Sequence, residues 1–353
     1  MTDRRPQLLW GILVVFTFAL IALGGEVLVR LTSDGIRPSR YYRPGIYAPD
    51  STRGWALAPG YRGVWFDYER EVPTSINRLG HRGPEESPER LRAGLRVAVV
   101  GDSVAFGRGV ADGEDYPARL EALLRERGLD AAVFNLAVPG YDSYLERLTF
   151  EQNVERLAPQ VLVVGWYRND IWDNNVALDF STFKVIDGYL IYDEDQYREF
   201  LREMSGAGLA RSELLNLLRV RWKLWRKSLS REERARRARV TEAEAFAHTL
   251  SQLNELQEQC LARGIAFVLV VHPEQSDFDS GVRGLYDALA AGVSGDRYRD
   301  LTSVLMVSEA WRGQPSEPLF QPGDRSHPSA RGHASIALAL AQLPVWERVA
   351  AAR

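Results

Sequence analysis

Cysteine is almost missing from this chain. Its 353 residues include one, Cys260, which excludes an intrachain disulfide and a cysteine-built zinc site. A reducing compartment is not implied, since a chain of this length can bury a large core without covalent staples. An excess of one charge is missing too. Lys and Arg number 44 against 47 Asp and Glu, a formal net charge of -3, and that balance gives no reason to expect nucleic acid as a partner of the whole molecule. His81 and His248 have no carboxylate cluster at ligand spacing, so no metal site is expected, and no cofactor. Internal repeats are absent. The 45% hydrophobic and 26% charged shares suit a folded, mostly soluble body and argue against disorder or a polytopic membrane protein.

Long apolar runs are scarce, and the one exception sits at the N-terminus. Residues 8–25 carry no charge and are rich in Leu, Val, Ile and Phe, close to the ~20 residues of a bilayer-spanning helix. Arg4 and Arg5 precede this run, so the positive-inside tendency keeps the N-terminus cytoplasmic and sends the remainder of the chain across the membrane. The expectation is a single-pass protein whose body is extracytoplasmic, in the periplasm or at the cell surface. Ala22 and Gly24 could present small residues to a signal peptidase, but apolar character continuing through Val27, Leu28 and Val29 favours an uncleaved anchor. A buried core helix is the weaker alternative, since it would have no reason to place Arg4 and Arg5 at one end of a run apolar on every face.

The rest reads as a preface over residues 32–94, irregular and strand-containing, and a domain over 95–353 interrupted by an insertion at 171–240, with 1–31 as tip and anchor. Apolar runs at 95–100, 131–138, 161–164 and 265–271 read as buried strands, with a weaker one at 301–305. Helical patterns fall between them at 116–127, 143–157, 242–262 and 285–291, and a last helix at 329–343. Alternating strand and helix predicts an α/β fold, three αβα layers around a parallel, flavodoxin-like sheet, with a helical insertion.

Four short motifs sit at the ends of these elements. Gly101-Asp-Ser103 follows the first strand, Asn135-Leu-Ala-Val-Pro-Gly140 ends the second, Asn169-Asp170 follows the third, and Asp324-Arg-Ser-His327-Pro328 precedes the last helix. Each alone is an ordinary turn. Ligands of open parallel sheets bind beyond the carboxyl ends of the strands, where strand order reverses. If the second strand lies outside the first and the third on its other side, Ser103, Gly140 and Asn169 converge on one crevice. Pro328 suits the first residue of the last helix, which would hold His327 at a rigid start.

On these motifs the chain resembles the SGNH hydrolases, also called GDSL esterases and lipases, from Arg96 to about Leu343. The resemblance implies Ser103 as nucleophile, His327 as base, Asp324 as its acid partner, and Ser103, Gly140 and Asn169 as oxyanion donors. The stretch Ser75-Ile-Asn-Arg-Leu-Gly-His-Arg-Gly-Pro-Glu85 is also similar to one in membrane-anchored members. One departure is Tyr167, which stands where the family's Gly-x-Asn-Asp block often has glycine, two residues before Asn169. Imidazole titrates near neutrality and can take the serine proton, while the acid fixes the tautomer and stabilises the imidazolium. The expected function is ester hydrolysis or O-acyl transfer through an acyl-serine, on an ester- or acyl-bearing small molecule or glycan of the envelope.

Tyr167, Arg168 and His272 are further candidates for substrate contact, with Trp166 and Trp172 beside them, though packing accounts for such residues equally well. His333 is read as a surface or supporting residue. The stretch that begins at Arg211 and ends at Arg239 is densely basic with interleaved Leu and Trp, as an amphipathic helix on anionic lipid, or in contact with anionic polysaccharide, would be. A solvated hairpin on the body is the plainer reading. Two other functions stand against the enzyme: a catalytically inactive, membrane-tethered polysaccharide-binding protein on the same scaffold, and a nucleotide binder using residues 101–109. The second lacks the P-loop lysine and any dinucleotide fingerprint.

Overall fold

The computed structural model describes residues 5–32, 45–67, 70–173, 184–191, 241–293 and 302–351, with 212, 214–215, 217–218 and 222. Most of the basic stretch, including Arg219, Arg221, Lys223 and Arg226, lies outside the described residues, as does the Trp172 side chain.

The body is built on five parallel strands. They are β5 (Leu95–Gly101), β6 (Ala131–Asn135), β7 (Val161–Tyr167), β10 (Ala266–His272) and β11 (Thr302–Met306), and they lie in the order β11-β10-β7-β5-β6. Four of the five are buried along their whole length or nearly so, which is why they read as continuous apolar runs rather than alternating ones. Successive side chains point to opposite faces. Val97, Val99, Val163, Val268 and Val270 therefore enter one core, while Ala98, Val100, Leu162, Val164 and Leu269 enter another. Helices α4 (Tyr116–Glu126) and α11 (Ala330–Ala341) cover the first face, and α5 (Ser143–Leu157), α7 (Glu242–Ala262) and α9 (Gly284–Val293) cover the second. This is the expected three-layer αβα fold, with the strand order of a flavodoxin-like sheet.

Local chemistry sets the helix ends. The α7 helix begins at a capping box in which Thr241 and Glu244 exchange hydrogen bonds, and Gly264 follows its end at φ 67. At α11 the structure corrects the sequence reading. Pro328 is not the first helical residue: Ser329 caps the helix, its Oγ accepting from the Gly332 N–H, and Pro328 instead pairs in a bridge with Phe320. Residues 136–138 lie beyond the end of β6, although the Leu136 and Val138 N–H groups still donate to Val99 and Gly101. The β7 strand runs three residues past the predicted 161–164, because Gly165, Trp166 and Tyr167 are buried like the rest of it.

The preface contributes two hairpin-like pairs, β1 (Tyr47–Asp50) with β2 (Gly54–Leu57) and β3 (Arg62–Asp67) with β4 (Arg70–Ser75). Trp55, Leu57 and Ile76 are buried in the first core of the body, so residues 45–67 and 72–94 fold as part of the same compact unit as the sheet. One part of the insertion departs from the expected helix. Residues 184–191 form an antiparallel pair, β8 (Lys184–Ile186) with β9 (Tyr189–Ile191), turned by Asp187 and Gly188 at positive φ.

A second unit contains helix α1 (Arg5–Thr32). Residues 9–32 form the one helix, among the described residues, that is long and apolar enough to cross a membrane. Near its end Glu26 pairs with Arg30 at 2.8 Å and accepts from the Ser212 hydroxyl at 2.8 Å and the Leu214 N–H at 2.9 Å. The start of the basic stretch is thus fastened to the end of the apolar helix.

Candidate active site

The nucleophile turn forms where β5 stops. Asp102 leaves the strand in an extended conformation and caps α3 (Ser103–Phe106), its Oδ1 accepting from the Val104 N–H at 2.8 Å. The short helix lies close against the sheet because two glycines make room. Gly101 and Gly165 are register partners on β5 and β7, and a Cβ on either would stand within 2.8 Å of the Ala105 methyl.

His327 arrives from the other end of the chain, 224 residues away, and its Nε2 lies 2.8 Å from Ser103 Oγ. The loop that carries it is closed by the Gln321 N–H donating to the His327 carbonyl at 2.9 Å. Within it Asp324 forms an Asx turn: Oδ1 accepts from the N–H groups of Ser326 at 2.8 Å and His327 at 3.2 Å. That leaves Oδ2 to accept from His327 Nδ1 at 2.6 Å. An ionised carboxylate can only accept, so the imidazole proton sits on Nδ1 and Nε2 presents a lone pair to the serine. Burial pushes the Asp324 carboxyl up, but the hydrogen bond and charge of His327, the Ser326 N–H and the Arg108 cation outweigh it and hold the group at about 2.

Gly140 and Asn169 reach the same end of the sheet. The Val138 N–H donates to Gly101 at 3.0 Å, which lays the second motif beside the nucleophile turn, and Gly140 follows with φ 86. Pro139 and Tyr141 are clamped by one preface residue: Trp55 Nε1 donates to the Pro139 carbonyl at 3.3 Å, and the Tyr141 hydroxyl donates to the Trp55 carbonyl at 2.5 Å. The Asn169 side chain donates to the Asp102 carboxylate, so its amide nitrogen points toward the nucleophile turn. Asp102 itself is fully buried, and desolvation raises its pKa despite these donors.

The remaining candidates are placed differently. Tyr167 is buried, and burial raises the pKa of its hydroxyl. Arg168 is part-buried and its Nη1 donates to Asp277 Oδ2 at 3.1 Å, an oxygen that also accepts from the Tyr286 hydroxyl at 2.5 Å. His272 requires a correction. Its ring is only 1% exposed and packs 5.6 Å from the Tyr116 ring, turned into the core rather than into a crevice, and burial pushes its pKa down to about 3. His333 is likewise not at the surface: it is fully buried, stacks 5.8 Å from Tyr116, and its Nδ1 accepts from the Tyr116 N–H at 3.2 Å. Both residues lie at helical or strand positions whose burial depends on partners far along the chain.

Three groups near the site stand outside the sequence expectations. Asp102 is one, and its place between Gly101 and Ser103 was the signal available. Arg82, in the preface, is buried against the far end of α3. Glu146, on α5, is 1% exposed with neither carboxylate oxygen hydrogen-bonded to a described residue. Burial first, then the charges of Asp102 and Asp142, push the Glu146 carboxyl well above the usual carboxylate range. A group raised in this way stabilises the fold fully below the unfolded pKa of about 4.3, and that stability is lost as pH rises toward the folded value. Glu146→Gln keeps the neutral shape at every pH. The variant is therefore expected to match wild type in thermal melts at pH 4 and to gain on it by up to about 1.4 kcal/mol per pH unit above pH 5, measured by calorimetry. A constant difference across pH would show that Glu146 does not titrate this way.

A family model for the GDSL-like lipase/acylhydrolase family matches residues 99–334, about two thirds of the chain, and the protein belongs to that family. A search of curated proteins found no match. Among solved structures, TesA is similar over 71% of this chain and 99% of its own, at 12% identity and a TM-score of 0.42. LAE5, an alpha/beta hydrolase enzyme from the metagenome of Lake Arreo, Spain, shares 18% identity over 70% of this chain and 94% of its own, with a TM-score of 0.40. A mutant of Axe2, an acetyl-xylooligosaccharide esterase from Geobacillus, shares 16% identity over 70% and 93%, also at 0.40.

Proposed function

We propose that the protein is a serine-dependent ester hydrolase or O-acyltransferase that works outside the cytoplasm on an acylated carbohydrate or other envelope substrate. The observation that carries this reading is the unbroken chain from Ser103 Oγ through His327 to Asp324, at 2.8 and 2.6 Å. Membership of the GDSL-like family is consistent with it.

In this mechanism His327 Nε2 takes the serine proton while Oγ bonds to the ester carbonyl carbon. The carbonyl oxygen becomes negative and is met by the N–H groups of Ser103 and Gly140 and the Asn169 amide, each such donor worth about 3 kcal/mol in the transition state. The tetrahedral intermediate collapses, the bond to the alcohol oxygen breaks, and that oxygen leaves with the proton from His327. An acyl-serine remains. Water deprotonated by the same imidazole releases the acid; a sugar hydroxyl in its place takes the acyl group. Arg168, held by Asp277, is assigned to the edge of the substrate site.

The extracytoplasmic placement rests on the apolar helix and on Arg4 and Arg5 ahead of it. Fastening of Ser212 and Leu214 to Glu26 brings the start of the basic stretch to the end of that helix, where anionic lipid and anionic polysaccharide are both contacts we propose for it.

Full-length protein in detergent is expected to be labelled at Ser103 by a fluorophosphonate, located by peptide mass spectrometry, and to release acetate from an activated ester. Offering acetylated glycan donors with and without glycan acceptors then separates release from transfer. A folded sample that shows neither labelling nor acetate release would favour the polysaccharide-binding reading instead.

A further inference from the structure

The nucleophile helix is held from outside the matched domain. Arg82 belongs to the preface, 17 residues before the family match begins at residue 99. Its side chain is 1% exposed and reaches under the C-terminal end of α3. Nη1 donates to the carbonyls of Phe106 at 2.9 Å and Gly107 at 2.6 Å, and Nη2 donates to the carbonyl of Val110 at 2.7 Å. The guanidinium also lies over the Phe106 ring, 4.7 Å from its centroid.

A helix of four residues has no stability of its own, and its last carbonyls have no partner within it. Asn135 Nδ2 reaches the Ala105 and Phe106 carbonyls only at 3.3 and 3.4 Å, whereas Arg82 makes the shorter bond to Phe106 and also holds the Gly107 and Val110 carbonyls just beyond the helix. Arg82 is itself fixed at the backbone, in bridges to Ile76 on one side and Asn135 on the other. Its charge is balanced inside the protein by Asp115 at 3.7 Å and Asp112 at 3.6 Å. Asp115 is buried; desolvation raises its pKa, and the Arg82 cation works against that.

We propose that Arg82 is a positioning residue for Ser103: it grips the end of α3 opposite the serine and so holds the hydroxyl at bonding distance from His327. The preface is then part of the catalytic centre rather than a spacer between membrane and enzyme. The proposal rests on the hydrolase reading above. A planar fork that serves three carbonyls at once is a task for guanidinium, and a lysine ammonium at that place has neither the reach nor the shape. Reactive geometry is sensitive on this scale, since a misplacement of about 1 Å costs on the order of 100-fold in rate.

The test compares full-length wild type, Arg82→Ala and Arg82→Lys in detergent by kcat and KM on p-nitrophenyl acetate. It adds amide exchange at residues 103–110 against 95–100 and 161–167, and recovery by low-millimolar guanidinium ion. Arg82→Ala is expected to lose about 10- to 100-fold in kcat with KM within about 3-fold, to exchange faster at 103–110 alone, and to regain kcat with guanidinium. Arg82→Lys is expected to keep the fold and still lose kcat, and it carries the comparison if the alanine variant does not fold. Unchanged kcat in a reactive enzyme, or exchange that quickens equally in the strands, overturns the positioning role and leaves the hydrolase reading intact. A folded wild type that neither reacts with fluorophosphonate nor turns over ester removes the hydrolase reading, and this one with it.

Discussion

Ser103→Ala, in otherwise unaltered full-length protein, is expected to abolish fluorophosphonate labelling and to lower kcat for ester hydrolysis by about 10⁴-fold or more. The size is set by the groups that remain. Without the hydroxyl there is no acyl-serine, and the site can only orient water and stabilise the oxyanion. The substitution removes one oxygen that is part-buried and bonded to His327, so the fold should keep its melting temperature within a few degrees. Kinetics and calorimetry on the same preparation therefore separate chemistry from stability. Hydrolysis that survives within about 10-fold of wild type would move the nucleophile elsewhere.

A second large loss is expected at the acid. Asp324→Asn should lower kcat by about 10³- to 10⁴-fold at neutral pH with little change in KM. Asparagine can still take the Ser326 and His327 N–H bonds through its carbonyl oxygen. Its amide nitrogen, however, offers a hydrogen to His327 Nδ1 where the carboxylate accepted one. The imidazole proton then moves to Nε2, which faces Ser103 as a donor and cannot take the serine proton. Because the wild-type Asp324 carboxyl titrates at about 2, it stays ionised through the working pH range and contributes no acid limb to the rate profile above pH 4. Its depressed pKa does stabilise the fold: that contribution is complete above the unfolded value of about 3.9 and is lost as pH falls through 2. A variant with more than a tenth of wild-type kcat at pH 7 would mean that Asp324 does not set the tautomer.

Much of the site was legible in local sequence. Ser103, Gly140, Asn169 and His327 drew notice because their motifs stand at the ends of strands or before a helix, where a parallel sheet gathers its loops, and the resemblance gave them their expected roles. Asp324 was named as the acid by the resemblance, and in the structure its turn brings Oδ2 to His327 Nδ1 at 2.6 Å. Arg82 could not be picked out. It shares the stretch 77–85 with Arg78, and the two side chains are 1% and 86% exposed. Nothing local separates them, since Arg82 is buried by a set of carbonyls between residues 106 and 110. His272 misled for the same reason in reverse. It ends a strand at the right edge, yet Gly165 on the neighbouring strand leaves a gap that Tyr116 and His272 fill from within. Pro328 was overruled by a hydroxyl, because Ser329 can satisfy the Gly332 N–H and proline can satisfy none.

Periodicity, strand-end motifs and one apolar run determined by themselves the layered parallel fold, the order of the reactive groups and the candidate membrane helix, since each depends on neighbours within a few residues or on burial alone. The tertiary structure decided which arginine braces the nucleophile helix, which histidines are sealed in the core, and that burial raises the Glu146 carboxyl. Those outcomes depend on desolvation and on partners tens to hundreds of residues away, and neither is written in local sequence.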